Sequence, residues 1–314
     1  MTEVLTIGRV GVDIYPLQVG VSLREVETFG KYLGGSPTNV AVAAARLGRS
    51  AAVITRTGAD PFGLFIHDAL RSYGVDDRYV TEVPGLPTPV TFCEIRPPED
   101  FPLFFYRYPK APDLEIHPEE LDLAAVRGAG LFWATVTGLS AEPSRAAHFA
   151  AWTARGRAPL TVLDLDYRPM FWPSAAEARE QVGEALRHVT VAVGNTEECE
   201  VATGAPDPYE AAKALLDLGV ELAVVKRGSD GVLGMTREET VEVPPVPVEV
   251  VNGLGAGDAF GGALCDGLLA GRGLADTLRF ANAAGAIVAG RLACAPAMPT
   301  TAEVHAVLSG DAHA

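Results

Sequence analysis

Residues 252–262 read Asn-Gly-Leu-Gly-Ala-Gly-Asp-Ala-Phe-Gly-Gly, and this stretch decides the fold and the chemistry that we expect of the chain. Three glycines within five residues allow a turn whose amides converge on one point, because no Cβ blocks positive φ or close approach. Asp258 then opens an apolar run with helical spacing, so the turn feeds a helix N-terminus, which attracts anions. Either Asp258 is a base beside an anion site formed by Gly255, Ala256 and Gly257, or it merely caps the helix.

The composition limits the classes of protein to which the chain can belong. With 314 residues and 48% hydrophobic content, it can form a globular protein with a sizeable core. No apolar run approaches the ~18 residues of a membrane span, and no basic leader precedes an apolar stretch at the N-terminus, so we expect neither a membrane segment nor a secretory signal. A net charge of −15 argues against nucleic acid as the main partner. The four scattered cysteines form no CxxC pair, which is typical of reduced thiols in the cytoplasm.

Short β-rich apolar runs alternate along the chain with segments that are apolar at helical spacing. The predicted strands are 4–7, 52–55, 131–133, 161–163, 189–193 and 222–225, and the predicted helices are 38–47, 62–73, 141–155, 175–187 and 209–218. This alternation predicts an α/β fold with a mainly parallel sheet, helices on both faces and ligands at the carboxyl ends of the strands. No linker or repeat divides the chain, so we expect residues 1–314 to form a single domain.

Two segments, residues 13–33 and 87–108, interrupt this alternation. Both are rich in β-formers, aromatic residues and proline, and neither fits a crossover helix. We expect them to leave the main sheet and to form a small β-sheet that covers the ligand as a lid. A small sheet that stands alone leaves one apolar face and its edges unpaired, so we also expect a homodimer in which two lids pack together.

A second glycine turn, Gly34-Gly35, lies near the N-terminus and precedes a helix that starts at Pro37. Asn39 lies in the first turn of that helix and carries both donors and an acceptor, as the hydroxyl groups of a polyol require. Asp13 follows the first strand and can accept hydrogen bonds from two sugar hydroxyls. Each of these residues also has a plainer explanation, as part of a loop or as a turn cap.

Two further turns follow predicted strands and carry charged side chains. Arg168 can bind a carboxylate through two parallel hydrogen bonds, or it can form a surface ion pair with Asp166. Asn195 and Glu198 share a face of a starting helix. The acid can hold Mg²⁺ through water beside a nucleotide, or it can simply stabilise the helix N-terminus.

Lys226 ends another predicted strand and can reach a nucleotide phosphate, although a plain hairpin turn also explains it. The chain has no GxxxxGK[ST] sequence, which excludes a P-loop mechanism. It also has no HExxH, GxSxG or histidine cluster, which removes the common zinc and serine hydrolases. Glycine-bearing or acidic turns at the ends of several strands favour phosphoryl transfer to an alcohol, which requires a base and an anion site.

The order and spacing of these motifs resemble the ribokinase-like (PfkB) carbohydrate kinases. Residues 34–39 and 255–258 are similar to the two signatures of that family, and residues 195–198 to its magnesium-organising motif. The similarity extends from Ile7 to about Pro299. It implies a ribokinase-like three-layer αβα sandwich with a small β-sheet lid, a sugar substrate, and ATP and Mg²⁺ as cofactors.

The resemblance also implies a role for each residue of the candidate site. Asp258 is the catalytic base, and the anion hole is formed by Gly255, Ala256 and Gly257. The sugar hydroxyls are held by Asp13, Gly34, Gly35 and Asn39. The nucleotide lies along Asn195, Lys226, Gly228, Gly231 and Asn282, while Glu198 organises its Mg²⁺ through water.

Residues 34–41, 164–169 and 294–300 resemble the subgroup that phosphorylates the C6 hydroxyl of 5-dehydro-2-deoxy-D-gluconate, a sugar acid of inositol catabolism. Tyr106 and Arg107 in the second lid segment, together with Arg168, favour such an acid, since its carboxylate needs a cationic clamp and ribose does not. Kinases of 2-keto-3-deoxygluconate use a similar arrangement and stay open as the alternative, as does a sugar-binding regulator without catalysis. Family members commonly carry Asp and a hydroxyl residue where this chain has Asn252-Gly253, which argues against a monovalent-cation site built on that carboxylate and leaves open whether such a cation binds.

Overall fold

The computed structural model describes residues 2–98 and 100–311. Numbered along the chain, the strands of this part are β1 (Val4–Ile7), β2 (Gly11–Pro16), β3 (Phe29–Gly34), β4 (Ala51–Gly58), β5 (Val75–Asp76), β6 (Val80–Val83), β7 (Val90–Cys93), β8 (Leu103–Tyr106), β9 (Leu131–Thr135), β10 (Thr161–Asp164), β11 (Val191–Asn195), β12 (Leu222–Lys226), β13 (Val232–Met235) and β14 (Thr240–Val243). Its α-helices are α1 (Ser36–Arg46), α2 (Pro61–Ser72), α3 (Leu123–Gly128), α4 (Ser144–Arg155), α5 (Ala175–Leu186), α6 (Thr196–Thr203), α7 (Pro208–Asp217), α8 (Ala256–Leu269), α9 (Leu274–Ala289) and α10 (Thr301–Ser309).

The central sheet has the strand order β14-β13-β12-β11-β10-β9-β1-β4-β5, and β6 pairs with β4. All pairs from β12 to β5 are parallel, while β13 and β14 add an antiparallel edge. The parallel strands place their carboxyl ends at one edge of the sheet, where ligands bind in folds of this kind. The predicted strands and the mainly parallel sheet are thus confirmed.

Helices cover both faces of this sheet, because the strands bury side chains alternately on two sides. On one face Val53 and Trp133 pack with residues of α1, α2, α8 and α9. On the other face Phe132 and Leu163 pack with residues of α4, α5 and α7. The result is the predicted three-layer αβα sandwich, and the assignment of residues 1–314 to a single domain stays a prediction.

Local sequence sets where the helices begin. Asp60 caps α2 by accepting a hydrogen bond from the Gly63 amide at 2.8 Å, and Pro61 takes the first helical position. Ser174 and Asp207 cap α5 and α7 in the same way. Side-chain oxygens satisfy N–H groups that a helix start leaves without partners, so these residues fix the loops that enter each helix.

The two interrupting segments form a separate four-stranded sheet with the order β3-β2-β7-β8, as predicted. Its register aligns Thr91 with both Asp13 and Phe105, so these three side chains lie on the same face, towards the main domain. Their neighbours Phe92 and Phe104 therefore lie on the opposite, outer face. We call this element the lid sheet.

The packing of α1 against α8 is close. A Cβ added to Gly262 of α8 would overlap the side chain of Ala43 in α1 and lie 2.8 Å from the Ala44 amide nitrogen. The missing Cβ lets the two helix backbones approach each other. We call this contact the α1/α8 seam.

Among the helices that the structure describes, none combines the length and the apolar character needed to cross a bilayer.

Candidate active site

A cavity of about 260 Å³ lies at the carboxyl ends of the central strands, between them and the lid sheet. It is lined by Arg9, Asp13, Tyr15, Gly35, Ser36, Asn39, Thr91, Leu103, Phe105, Asp164, Asp166, Arg168, Asn195, Glu198, Lys226, Gly253, Leu254, Gly255, Gly257, Asp258 and Cys294. The polar residues come from strand ends, from the starts of α1 and α8, and from the lid sheet. Segments far apart in the sequence therefore meet in this cavity, as the positions of the glycine turns predict.

Asp258 lies in the first turn of α8 and faces the first turn of α1. Its Oδ2 atom accepts a hydrogen bond of 2.8 Å from Nδ2 of Asn39. Burial raises the pKa of Asp258, while the bonds from Asn39 and Ser36 oppose that rise. A buried carboxylate with a raised pKa and a fixed orientation is well suited to accept a proton from a substrate hydroxyl.

The turn that leads into α8 is built so that only glycine fits at its centre. Gly255 has φ 84°, and a Cβ there would lie 2.6 Å from the Cys294 sulfur. Asn252 shapes the turn, because its Oδ1 accepts a hydrogen bond from the Leu254 amide and its Nδ2 donates one to the Leu292 carbonyl. Ala256 and Gly257 then begin the helix, whose first amide groups have no partner within the helix. Gly255 and Gly257 line the cavity, whereas Ala256 is not among its lining residues.

The residues predicted to hold the sugar hydroxyls lie close together. They are Asp13, Gly34, Gly35 and Asn39. A Cβ on Gly34 would overlap the Asp13 carboxyl group, and a Cβ on Gly35, which has φ 106°, would overlap the Arg9 carbonyl. Burial raises the pKa of Asp13 to about 6, although the nearby Arg9 and the Tyr15 hydroxyl both lower it. Asp13 therefore has both a fixed position and an unusual protonation range.

The hydroxyl of Tyr15, a residue that the sequence analysis did not single out, connects the lid sheet to the C-terminal loop. It donates a hydrogen bond of 3.1 Å to Asp13 Oδ2 and lies 2.9 Å from the Cys294 sulfur. Cys294 and the other three cysteines are buried and free, as expected. The spacing of Asp13 and Tyr15 in β2, which puts both on one face of a strand, is the signal that could have revealed the pair.

Lys226 ends β12 and is surrounded by carboxylates. Burial lowers its pKa, but Asp164, Glu198 and Asp258 outweigh burial and raise it, so the amine stays charged. Its Nζ would lie 3.2 Å from a Cβ on Gly257, which places the positive charge against the turn that starts α8. A phosphoryl group at this turn would meet both a cation and helix amides.

Asn195 and Glu198 form a reciprocal cap at the start of α6. Asn195 Oδ1 accepts from the Glu198 amide at 2.8 Å, and Glu198 Oε2 accepts from the Asn195 amide at 2.7 Å. The plainer sequence explanation, a capped helix, is therefore realised, and both residues nevertheless line the cavity. Glu198 has a second oxygen that takes no part in the cap.

The acidic residues fit a divalent cation that arrives with a nucleotide. Within residues 2–98 and 100–311, no three His, Cys, Asp or Glu side chains are grouped closely enough to hold a metal ion by themselves. Asp164 and Glu198 still line the cavity close to Lys226, and burial raises the pKa of Asp164. Such carboxylates suit an ion bound chiefly by phosphate oxygens and water, which is the usual coordination of Mg²⁺.

Three residues that we expected along the nucleotide lie outside the cavity. Gly228 and Gly231 belong to the turn after β12, and a Cβ on Gly231 would overlap the Val243 carbonyl. Asn282 in α9 donates a hydrogen bond of 2.8 Å to the Pro244 carbonyl. Gly231 and Asn282 thus meet at the same loop, after β14, and their contact with a nucleotide stays a prediction.

Of the two arginines expected to bind a carboxylate, only one lines the cavity. Arg168 lines the cavity, and its Nη2 lies 2.7 Å from Asp166 Oδ1. Burial raises the pKa of Asp166, but Arg168 and Arg9 outweigh it and hold this pKa below its usual range. Arg107, by contrast, is outside the cavity and forms a buried ion pair of 2.7 Å with Asp113.

Tyr106 also lies away from the cavity. It is 63% exposed on the outer face of the lid sheet, with its ring 5.5 Å from that of Phe92. Its neighbour Phe105 lines the cavity instead, and Arg9 lies beneath the Phe105 ring. Sequence reasoning missed Arg9 and Phe105. Strand alternation predicts that Phe105 and Tyr106 lie on opposite faces of the strand. It does not predict which of the two faces the cavity.

A buried carboxylate in the first turn of a helix, a lysine beside the same turn and a polar cavity under a lid sheet are the groups that a sugar kinase requires. The chain belongs to the pfkB family of carbohydrate kinases, whose family model matches residues 1–301.

Individual relatives extend this assignment over nearly the full length. The chain is 32% identical over 311 residues to a 5-dehydro-2-deoxygluconokinase of Shouchella clausii, an alignment that covers 98% of this chain and 95% of that protein. It is also 32% identical over 310 residues to the protein of the same name from Clostridium tetani, covering 96% of this chain and 91% of that protein. Among solved structures, fructokinase with bound ATP from Xylella fastidiosa superposes with a TM-score of 0.86 at 25% identity and covers 99% of both chains.

Proposed function

We propose that the chain is an ATP-dependent sugar-acid kinase that phosphorylates the C6 hydroxyl of 5-dehydro-2-deoxy-D-gluconate. The observation that carries the choice of substrate is the near-full-length similarity to relatives named 5-dehydro-2-deoxygluconokinase. The cavity is consistent with an acid, since the cationic side chains of Arg9 and Arg168 both line it. A neutral sugar has no group that requires two guanidinium ions.

In this proposal Asp258 is the general base. Its carboxylate accepts the proton of the C6 hydroxyl while the oxygen bonds to the γ-phosphorus of ATP. The bond from that phosphorus to the bridging oxygen breaks, and ADP leaves with the electron pair. Asn39 keeps the carboxylate oriented through the 2.8 Å hydrogen bond, so that little reorganisation is needed during transfer.

The amides of Gly255, Ala256 and Gly257 and the charged amine of Lys226 stabilise the negative charge that develops on the transferred group. A divalent cation, which we take to be Mg²⁺, neutralises part of the phosphate charge when it is bound. Glu198 would reach it through water, and Asn195 holds the backbone of Glu198 in place. Asn252 has a neutral amide, and its oxygen and nitrogen are bonded to the Leu254 amide and the Leu292 carbonyl, so it offers no negative charge to a monovalent cation.

We further propose a homodimer that forms through the outer face of the lid sheet. Phe29, Phe104 and Tyr106 are 39%, 43% and 63% exposed there, and the Phe29 and Phe92 rings are 5.8 Å apart. A contiguous apolar surface of this kind is characteristic of an interface, and the same face on a second subunit would match it. A cytoplasmic location is consistent with the four free, buried cysteines.

The purified protein tests this proposal with ATP, Mg²⁺ and a panel of acceptors: 5-dehydro-2-deoxy-D-gluconate, 2-keto-3-deoxygluconate, ribose and fructose. We expect the highest kcat/KM with the first compound and a product phosphorylated at C6. Asp258→Asn should bind ATP as the wild type does but lower kcat by ~10²-fold or more, the usual effect of losing a positioned base. Near-normal turnover of this variant would remove Asp258 from the mechanism.

The same panel tests the alternatives. A preference for 2-keto-3-deoxygluconate would make the chain a kinase of that acid and leave the mechanism unchanged. Binding of a sugar acid without phosphoryl transfer to any acceptor would make it a regulator.

A further inference from the structure

The geometry points to Arg9, acting with Arg168, as the residue that binds the carboxylate of the sugar acid and selects it over neutral sugars. This inference deepens the proposed function and rests on it for the class of substrate. It replaces Arg107, on which the sequence pattern placed this role.

Arg9 lies at the base of the lid sheet, two residues after β1 and two before β2. Its guanidinium carbon is 5.4 Å from the centre of the Phe105 ring, and its side chain is 11% exposed. Stacking on an aromatic ring fixes the plane of a guanidinium group and leaves its edge free to form hydrogen bonds. The edge of Arg9 is therefore held within the cavity that Asp13 and Asp258 also line.

The hydrogen-bonding capacity of the two arginines is not used up. In the part of the chain that the structure describes, the buried Nε atoms of Arg9 and Arg168 have no hydrogen-bond partner. Leaving a buried charged donor unpaired costs free energy, so such donors are normally met by a ligand or by water. Two of them in one cavity form a pair of sites for the two oxygens of a carboxylate.

Asp166 leaves the guanidinium group of Arg9 available to a second carboxylate. Asp166 lies between the two guanidinium groups, 2.7 Å from Arg168 Nη2 and 3.8 Å from Arg9 Nη2. The longer of these distances is beyond hydrogen-bonding range, so Asp166 is hydrogen-bonded to Arg168 and not to Arg9. A substrate carboxylate therefore does not have to displace Asp166 in order to bind Arg9.

Arg107 cannot supply this charge in the same way. Its Nη2 is bonded to Asp113 at 2.7 Å, with both side chains buried, and its guanidinium group lies 5.0 Å from the Phe171 ring. The pair is neutral overall and outside the cavity lining. A substrate carboxylate would have to compete with Asp113 for it.

A second role for Arg9 must be separated from this one, because Arg9 also lowers the pKa of Asp13 and Asp258. A residue that only balances these charges would affect all substrates alike and would shift the pH dependence of kcat. A residue that binds the carboxylate would affect KM, and only for acids.

The test compares Arg9→Gln with the wild type on two acceptors, 5-dehydro-2-deoxy-D-gluconate and the compound in which its carboxyl group is reduced to a primary alcohol. Because hydrogen bonds between charged groups contribute ~1.5–3 kcal/mol, kcat/KM for the acid should fall by roughly 10- to 150-fold, mainly through KM. The value for the neutral compound should change by less than about threefold, and Arg9→Lys should recover only part of the loss. Arg279→Gln is a matched control, since it removes one positive charge from an exposed surface pair.

Each outcome decides a separate question. An equal loss on both acceptors, or no loss on either, would overturn the inference while the proposed function stands. If the wild type prefers a different sugar acid and Arg9→Gln abolishes that preference, the proposed substrate fails and the inference stands. A wild type that prefers the neutral compound refutes both. Calorimetric binding of gluconate against glucitol gives the same comparison without turnover, and a loss of gluconate binding in Arg9→Gln is the supporting result.

Discussion

Replacing Asn39 by Leu tests what sets the pKa of Asp258, the proposed general base. The substitution keeps a side chain of similar size but removes the 2.8 Å hydrogen bond to Asp258 Oδ2. Burial raises the pKa of Asp258 and this bond opposes the rise, so its loss should raise the pKa further. A hydrogen bond to a charged group contributes ~1.5–3 kcal/mol. Below its pKa, the ionised fraction of Asp258 should therefore fall by roughly 10- to 150-fold.

The assay is the pH dependence of kcat/KM from about pH 5 to about pH 9, followed by ADP release at saturating ATP. A base works when it is ionised, so activity is lost as the pH falls through its pKa. We expect the acidic limb of the Asn39→Leu profile to lie at higher pH than in the wild type, with partial recovery of the rate at alkaline pH.

Loss of a sugar contact has a different signature. If Asn39 also binds the substrate, the whole profile is lowered by a constant factor, but its limb does not move. Thr91→Val is the control, because Thr91 lines the cavity from the lid sheet and is not among the residues bonded to Asp258. An acidic limb at the wild-type position in Asn39→Leu would refute the view that this bond sets the basicity of Asp258.

Three further predictions concern the Arg168 ion pair, the Gly255 turn and the outer face of the lid sheet. Arg168→Lys keeps the charge but loses the planar group that holds Asp166, so steady-state kinetics should show a raised KM for the acid and little change for a neutral sugar; an equal effect on both would argue against carboxylate binding. Gly255→Ala introduces a Cβ 2.6 Å from the Cys294 sulfur at φ 84°, so we expect a lower Tm and a fall in kcat, and an unchanged kcat would show that the turn tolerates a side chain. Phe104→Glu should convert the proposed dimer to monomers in light scattering at micromolar concentration, and a monomeric mass for the unmodified protein would contradict the dimer itself.

The sequence was sufficient for the framework because hydrophobic periodicity reports burial directly. Helix 175–187 was predicted and α5 is Ala175–Leu186; strand 4–7 was predicted and β1 has those bounds. The predictions were less complete for short strands at the edge of the central sheet. The antiparallel edge strands β13 and β14 were not predicted. Each has only four residues, and β14 is mostly exposed although β13 is buried, so periodicity alone does not distinguish them from a loop.

In the candidate site, the positions of the glycine turns could be predicted from the sequence. Which side chain a given charged residue contacts could not. Asp258 and Asn39 are 219 residues apart, yet each marks a helix start after a glycine turn, and that local signal was enough to bring them into one site. Arg107 was expected to face the sugar because it stands beside aromatic residues. Whether it meets a substrate or Asp113 depends on the path of the loop after β8, and no local pattern in the sequence specifies that path.

The α1/α8 seam has a consequence for how such an enzyme can be altered. The hydrogen bond from Asn39 to Asp258, the proposed base, joins these two helices. The separation of the helices is set by the contact of Gly262 with Ala43 and Ala44. Overpacking such a contact typically costs ~1–3 kcal/mol, so Gly262→Ala would move the base before it unfolds the protein. Of the two arginines proposed to select the sugar acid, Arg9 lies at the base of the lid sheet and Arg168 follows β10 of the central sheet. Neither belongs to the α1/α8 seam. The lid sheet, the loop that carries Arg9 and the loop after β10 could therefore be exchanged together with those of a related kinase to change the acceptor, provided that every residue of the α1/α8 seam is retained.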